Sequence, residues 1–205
     1  MHVFITGTDT NIGKTLVASW LALHTGYDYF KPIQTGSLEA TDSQMVRSLT
    51  NSTVHKETYC YQAPLSPHLA AHLEQQEIDV NQINLPRVPK LILEGAGGVL
   101  VPINREMLLI DWIKRLSIPV ILVASSRLGT INHTLLSLEA LRTRNIEILG
   151  IIMSGELNQD NSDAIAGYGQ TKVIGQLPFL QNINQDTLKN IPLTTDLKKI
   201  FGVHP

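Results

Sequence analysis

Three observations predict a three-layer α/β/α fold built on a mainly parallel central sheet. Short, almost wholly apolar runs recur at residues 3–5, 90–93, 120–123 and 148–152, with weaker candidates at 27–30 and 172–174. Unbroken apolarity, rather than alternation, is the pattern of strands covered on both faces, as parallel strands are. Helix-like stretches stand between these runs, and strand–helix alternation implies right-handed crossovers. Finally, 205 residues of which 43% are hydrophobic suit one compact domain, spanning 1–205, with a sizeable core.

Taken in order, the strand at 3–5 runs into Gly7-Thr8-Asp9-Thr10-Asn11-Ile12-Gly13-Lys14-Thr15. A strand that ends in a glycine-containing loop and restarts as a helix at Gly-Lys-Thr is a phosphate cradle. Its backbone N–H groups turn inward and the helix N-terminus adds partial positive charge. Lys14 can reach the outer phosphates of a nucleotide and the Thr15 hydroxyl can meet Mg²⁺. The fold class is thereby narrowed to a P-loop NTPase-like one, although the usual first glycine position holds Thr8 and the glycine stands one residue earlier. Leu16, Val17, Trp20, Leu21 and Leu23 follow at helical spacing.

The strand at 27–30 leads into Lys31-Pro32-Ile33-Gln34-Thr35-Gly36. Residues 50–89 carry Pro64, Pro67, Pro86 and Pro89 and read as an insertion with helical pieces at 68–76 and 81–85. The strand at 90–93 runs into Glu94-Gly95-Ala96-Gly97-Gly98. A short helix is expected at 107–116, and a longer one at 130–144 with Ile131, Leu135, Leu138 and Leu141 on one stripe. Another is expected at 162–168, and the segment from Pro178 onward reads as an irregular lid or loop beside the nucleotide.

In open α/β sheets the chemistry gathers beyond the carboxyl ends of the strands. Lys31, held by Pro32, can project into the phosphate site or be a solvated edge charge. Glu94 directly follows a buried run, so it suits a metal-side carboxylate, with the neighbouring glycines making room for substrate; an incidental turn residue is the plainer reading. Asp42 is a carboxylate in the same class, or a helix cap. Together Thr15, Asp42 and Glu94 supply the hard oxygens that ATP–Mg²⁺ requires. His68 and His72 share a helical spacing but lack a third zinc ligand. His133 caps a helix or touches substrate, Trp20 and Trp112 read as core or subunit contacts, and Cys60 as a buried or inert thiol.

The net charge of −2 and the absence of a basic run point away from nucleic acid and anionic membranes. A single cysteine suits a reducing compartment, no run approaches the roughly 20 apolar residues of a membrane helix, and the start leaves no room for a signal peptide. A cytoplasmic protein is expected.

The motifs taken together resemble the dethiobiotin synthase family. The segments that carry the likeness are the loop from Thr6 to Thr15, Lys31-Pro32-Ile33-Gln34-Thr35-Gly36 and Ser66-Pro67-His68. They continue with Glu94-Gly95-Ala96-Gly97-Gly98-Val99, Pro119-Val120-Ile121-Leu122-Val123 and Leu128-Gly129-Thr130-Ile131-Asn132-His133, in the family's order along most of the chain. The resemblance accounts for the shifted glycine, since the family's loop opens Gly-Thr-Asp-Thr.

It implies a ligase that makes dethiobiotin from 7,8-diaminononanoate, CO₂ and ATP, with Mg²⁺. Lys31, Lys14 and Thr8 are the implied catalytic groups, and Thr15, Asp42 and Glu94 the metal ligands. The implied nucleotide site comprises Asn11, Ile12, Gly13, Lys14, Thr15, Leu16, Asp42, Glu94, Gly95, Ala96, Gly97, Ser154, Pro178, Phe179 and Leu180. Thr35, Leu128, Gly129 and Asn132 are implied to hold the diamine, the last three across a homodimer interface. One departure stands out: the family commonly has Asn-Asp after the strand at 148–152, where this chain has Ser154-Gly155. A serine lacks the paired donor and acceptor of an amide, so weak base discrimination is expected unless residues 178–180 compensate.

A different class, the nucleotide-switch ATPases of partition and division-site positioning, carries a second loop lysine where this chain has Asp9, and a membrane-targeting tail longer than residues 201–205.

Overall fold

A computed structural model describes residues 1–203. In chain order the elements are β1 (His2–Gly7), α1 (Lys14–Thr25), β2 (Asp28–Phe30), β3 (Ile33–Thr35), α2 (Asp42–Leu49), β4 (Tyr59–Tyr61), α3 (Pro67–Leu73) and β5 (Leu91–Gly98). There follow α4 (Leu109–Leu116), β6 (Val120–Ser125), α5 (Thr130–Thr143), β7 (Ile148–Gly155), α6 (Gln159–Gly169), β8 (Val173–Pro178), α7 (Gln185–Lys189) and α8 (Thr195–Phe201). Six strands form one sheet in the order β2-β5-β1-β6-β7-β8, every pairing parallel. β3 and β4 pair separately.

The apolar runs are continuous because both faces of the sheet are covered. Successive residues of a strand point to opposite faces. Phe4 therefore packs with Trp112 of α4 and Leu138 of α5, while Val3 and Ile5 pack with Val17, Trp20 and Leu21 of α1 and Leu197 of α8. The result is a three-layer, P-loop NTPase-like α/β/α architecture, with the phosphate loop rising from a central strand.

Several expectations change in detail. β5 extends to Gly98, so Glu94 lies inside the strand, opposite Ile5 of β1. Residues 81–85 form no α-helix; a single 3₁₀ turn occupies Val80–Gln82, with the Asn81 N–H donating to the Asp79 carboxylate. Asp42 is not a cap either: Thr41 caps α2 in a reciprocal box with Gln44, which leaves Asp42 in the first turn free for other partners. Both tryptophans are core residues, whereas Cys60 is exposed rather than buried.

The segment after Pro178 is more ordered than a loop, because it supplies part of the core. α7 and α8 bury Leu188, Leu197 and Phe201, and the Trp20 indole donates to the Ile191 carbonyl at 2.8 Å. Residues 204 and 205, at the end of the proposed tail, lie outside the described residues.

Candidate active site

The phosphate loop begins where β1 ends. Thr8 N–H donates to the Val123 carbonyl of β6 at 3.0 Å, which fixes the loop's departure from the sheet. A Cβ at Gly7 would stand 2.5 Å from Ile12 Cδ1 and 3.0 Å from Lys14 Cδ. The glycine is thus needed one position early so that Ile12 and the Lys14 stem can fold back over the strand. Lys14 Nζ then donates to the Asp9 carbonyl at 2.7 Å, drawing the loop closed. Burial lowers the Lys14 pKa to about 8, with Lys31 adding to the effect and Glu94 and Asp42 opposing it.

Four side chains from four segments converge beside this lysine. Thr15 Oγ1 lies 2.7 Å from Asp42 Oδ1 and 2.8 Å from Glu94 Oε1. A hydroxyl has one proton, which can serve only one of those carboxylates at a time. Three hard oxygens therefore meet with a single proton among them, a donor set that fits a divalent cation. Lys31 supplies the compensating charge: its Nζ is 2.5 Å from Asp42 Oδ2 and 3.0 Å from Glu94 Oε1.

Only 5% of Lys31 is exposed, against the solvated reading. Burial opposes its charge, but Glu94 and Asp42 outweigh that and hold its pKa above the ordinary lysine value. Burial likewise opposes ionisation of Asp42, and Lys31 with the Thr15 hydroxyl reverses the balance and lowers its pKa.

Two contributors were given no role from the sequence. Gln34, buried on β3, accepts from Asp42 N–H at 3.2 Å and so anchors the start of α2 to the site. Tyr29 donates from its hydroxyl to Glu94 Oε2 at 2.9 Å. Its aromatic identity reads as core in the sequence, and only the pairing of β2 with β5 brings it to the carboxylate. Burial, reinforced by Glu94, holds the Tyr29 phenol well above its ordinary pKa and keeps it a donor.

These groups open into a cleft of about 880 Å³. It is lined by Asn11, Gly13, Lys14, Thr15 and Leu16, by Lys31, Thr35, Asp42, Glu94, Ala96 and Gly97, and by residues 64–67. Gly95 and Gly98 do not make room for substrate. A Cβ at Gly95 would press on Phe4 and Leu109, and one at Gly98 on the Thr8 backbone, so their smallness serves the protein's own packing.

Other expected residues stand apart from the cleft. Thr8 and Ile12 act in the loop's scaffold as described. The Ser154 hydroxyl fills the space that a side chain at Gly13 would need, which places it against the back of the loop. Gly155 has φ +115°, and a Cβ there would lie 2.7 Å from Ser126 Oγ. Pro178 ends the edge strand β8, and Phe179 and Leu180 follow it; Leu180 packs on the core, while Phe179 is 70% exposed. Leu128, Gly129 and Asn132 line a second hollow of about 650 Å³ at the start of α5, where His133 is also exposed. His68 and His72 line a third, of about 210 Å³, beside Glu77 and Arg105.

A six-stranded parallel sheet whose central strand delivers Gly-Lys-Thr to a helix N-terminus defines a P-loop nucleotide-binding protein, and the AAA domain family matches residues 1–187. Within that class the chain is 61% identical over 203 residues to the ATP-dependent dethiobiotin synthetase BioD of Lawsonia intracellularis, covering 99% of this chain and 100% of that one. The enzyme of the same name from Paramagnetospirillum magneticum is 46% identical, with 94% and 95% covered. That from Neorickettsia sennetsu is 36% identical, with 98% and 96% covered. The chain belongs to the dethiobiotin synthetase family.

Proposed function

We propose that the cleft carries out the ATP-dependent carboxylation and ring closure of 7,8-diaminononanoate with CO₂, giving dethiobiotin, ADP and phosphate, within one ligase domain spanning 1–205. The observation that carries this reading is the convergence of Lys14, Thr15, Lys31, Asp42 and Glu94 at a helix N-terminus facing a cleft large enough for a nucleotide and a second substrate.

One amine of the diamine takes up CO₂ as a carbamate, releasing a proton. A carbamate oxygen attacks the γ-phosphorus and ADP leaves, which forms a carbamic–phosphoric anhydride. The second amine attacks its carbonyl carbon, expels phosphate and closes the ureido ring. No protein nucleophile is required; the demands are positioning and neutralisation of migrating negative charge. Lys14 and the inward N–H groups of the loop hold the phosphates. Lys31, already balanced against two carboxylates, moves its charge to the carbamate and γ-phosphate oxygens. Thr15, Asp42 and Glu94 would hold Mg²⁺, which supplies further charge neutralisation on the phosphate oxygens. Thr35, which lines the same cleft, contacts the diamine.

The start of α5 completes the diamine site in a second copy. Leu128 is fully exposed beside Gly129 and Asn132, as an apolar contact between subunits would be in a single copy. Sedimentation under assay conditions should show a dimer, and a fully active monomer would refute that arrangement. Among the described residues no helix is long and apolar enough to cross a membrane, and we place the enzyme in the cytoplasm.

The direct test is incubation with ATP, Mg²⁺, bicarbonate and 7,8-diaminononanoate, followed by mass analysis. Dethiobiotin should form only with a nucleoside triphosphate present, and ATP hydrolysis without that product would refute the reading.

A further inference from the structure

We infer that Tyr29 is a positioning residue that locks Glu94 into offering a single oxygen to the cation, and that it thereby favours Mg²⁺ over Ca²⁺. The two oxygens of Glu94 have separate duties. Oε1 faces Thr15 Oγ1 at 2.8 Å and Lys31 Nζ at 3.0 Å, while Oε2 accepts the Tyr29 hydroxyl at 2.9 Å. Both residues are rigidly held. Tyr29 is fully buried in the core beneath α1 and Glu94 is 1% exposed. The backbone of Tyr29 is bonded on its outer side too, through Thr53 and His55, so neither ring nor strand is free to retreat.

A carboxylate free to pivot can present one oxygen or both. Mg²⁺ demands near-ideal octahedral geometry and takes carboxylates through one oxygen, whereas Ca²⁺ accepts six to eight oxygens and readily takes a carboxylate through two. A hydroxyl anchored to Oε2 blocks the second mode. Outer partners of this kind orient the ligands they touch and tune what the site binds. The inference rests on Thr15, Asp42 and Glu94 being the cation's ligands, and its test separates the two ideas.

Mn²⁺ binding in the presence of a non-hydrolysable ATP analogue can be followed by its electron paramagnetic signal, with Mg²⁺ and Ca²⁺ as competitors. In Tyr29→Phe the ratio of Ca²⁺ to Mg²⁺ affinity should rise by about tenfold, the lower end of the effects produced by losing an outer partner. An unchanged ratio, or a shift toward Mg²⁺, overturns the inference. Glu94→Gln should weaken Mn²⁺ binding; if it does not, the cation reading falls and this inference falls with it. If it does while Tyr29→Phe leaves the ratio unmoved, only the role of Tyr29 fails.

A second measurement needs no change at Tyr29. On addition of Mg²⁺ and the analogue to the unaltered protein, the infrared bands that vanish in Glu94→Gln should show the wide antisymmetric–symmetric splitting of a one-oxygen carboxylate. The narrow splitting of two-oxygen binding would refute the proposal whether or not Tyr29→Phe folds.

Discussion

The two ends of the proposed nucleotide site are built to different standards. At the phosphate end, four side chains from four segments, Thr15, Lys31, Asp42 and Glu94, interlock at 2.5–3.0 Å, and Lys31, Glu94 and the neighbouring Lys14 are almost fully buried. At the base end, Ser154 packs against the loop, Gly155 carries no side chain, and Phe179 stands largely in solvent. Charge displaced during phosphoryl transfer must be met by groups that need not reorganise, which favours a buried, mutually braced cluster. Holding a base needs no such preparation, and here few side chains are committed to it.

The largest break in this contrast should come from Lys31→Gln. Loss of one such charge contact costs on the order of 10²–10³ in rate. Circular dichroism should show an intact fold, and near-normal turnover would reduce Lys31 to a structural partner of Asp42. Next, Asp42→Asn and Glu94→Gln should each raise the Mg²⁺ concentration for half-maximal activity by at least about tenfold, since losing even an outer partner of a ligand costs that much. Unchanged Mg²⁺ titrations in both would remove them from the site.

The pH dependence sharpens the comparison. Lys14, with its pKa lowered to about 8, must be protonated to hold phosphate. ATP affinity should therefore fall toward tenfold per pH unit above about 8, with proton uptake on binding visible by calorimetry in buffers of different ionisation heat. Stability of the free protein should move the other way. Between about 8 and 10.5 the unfolded chain holds a proton on this lysine that the folded protein lacks, so this contribution to unfolding free energy rises with pH. An ATP affinity flat across that range would mean the lysine does not titrate there.

The smallest effect belongs to the base end. GTP or CTP should support turnover within about tenfold of ATP, because Ser154 and Gly155 lack the paired donor and acceptor of the family's amide. Strict ATP dependence would show that backbone groups near 178–180 read the base. Installing the family's Asn-Asp at 154 and 155 is a poor test in this chain. A side chain at Gly155 would be strained at its φ of +115°, and Asn at 154 would crowd Gly13.

The sequence was most readable where one residue type has one common use. Unbroken apolar strands and the Gly-Lys-Thr turn announced a mainly parallel sheet and the phosphate loop, Lys31 and Glu94 stood out beside strand ends, and Asp42, readable also as a helix cap, joined them as a hard-oxygen donor. The small β3–β4 pair was not visible, because three-residue strands leave no periodicity to detect. Gln34 stands inside the 31–36 motif, but nothing local says that its side chain reaches the start of α2. Tyr29 was hidden differently: a tyrosine in an apolar run looks like core packing, which it also is, and nothing local says that its hydroxyl meets a glutamate far along the chain. The C-terminal segment misled because α7 and α8 are too short to show a stripe, although their few apolar residues complete the layer over α1.

The central position of β1 also bears on how the chain is born. Its neighbours are β5 and β6, so β1 leaves the ribosome well before its hydrogen-bond partners at residues 91–98 and 120–125. At synthesis rates of roughly 5–20 residues per second, the phosphate loop spends several seconds tethered to an unpaired strand with an apolar centre, Val3-Phe4-Ile5. Trp20 waits longer still for Ile191, 171 positions later. Nascent chains arrested before β6 should therefore engage holdase chaperones and fail to retain ATP, and release from the chaperone should coincide with the appearance of nucleotide binding.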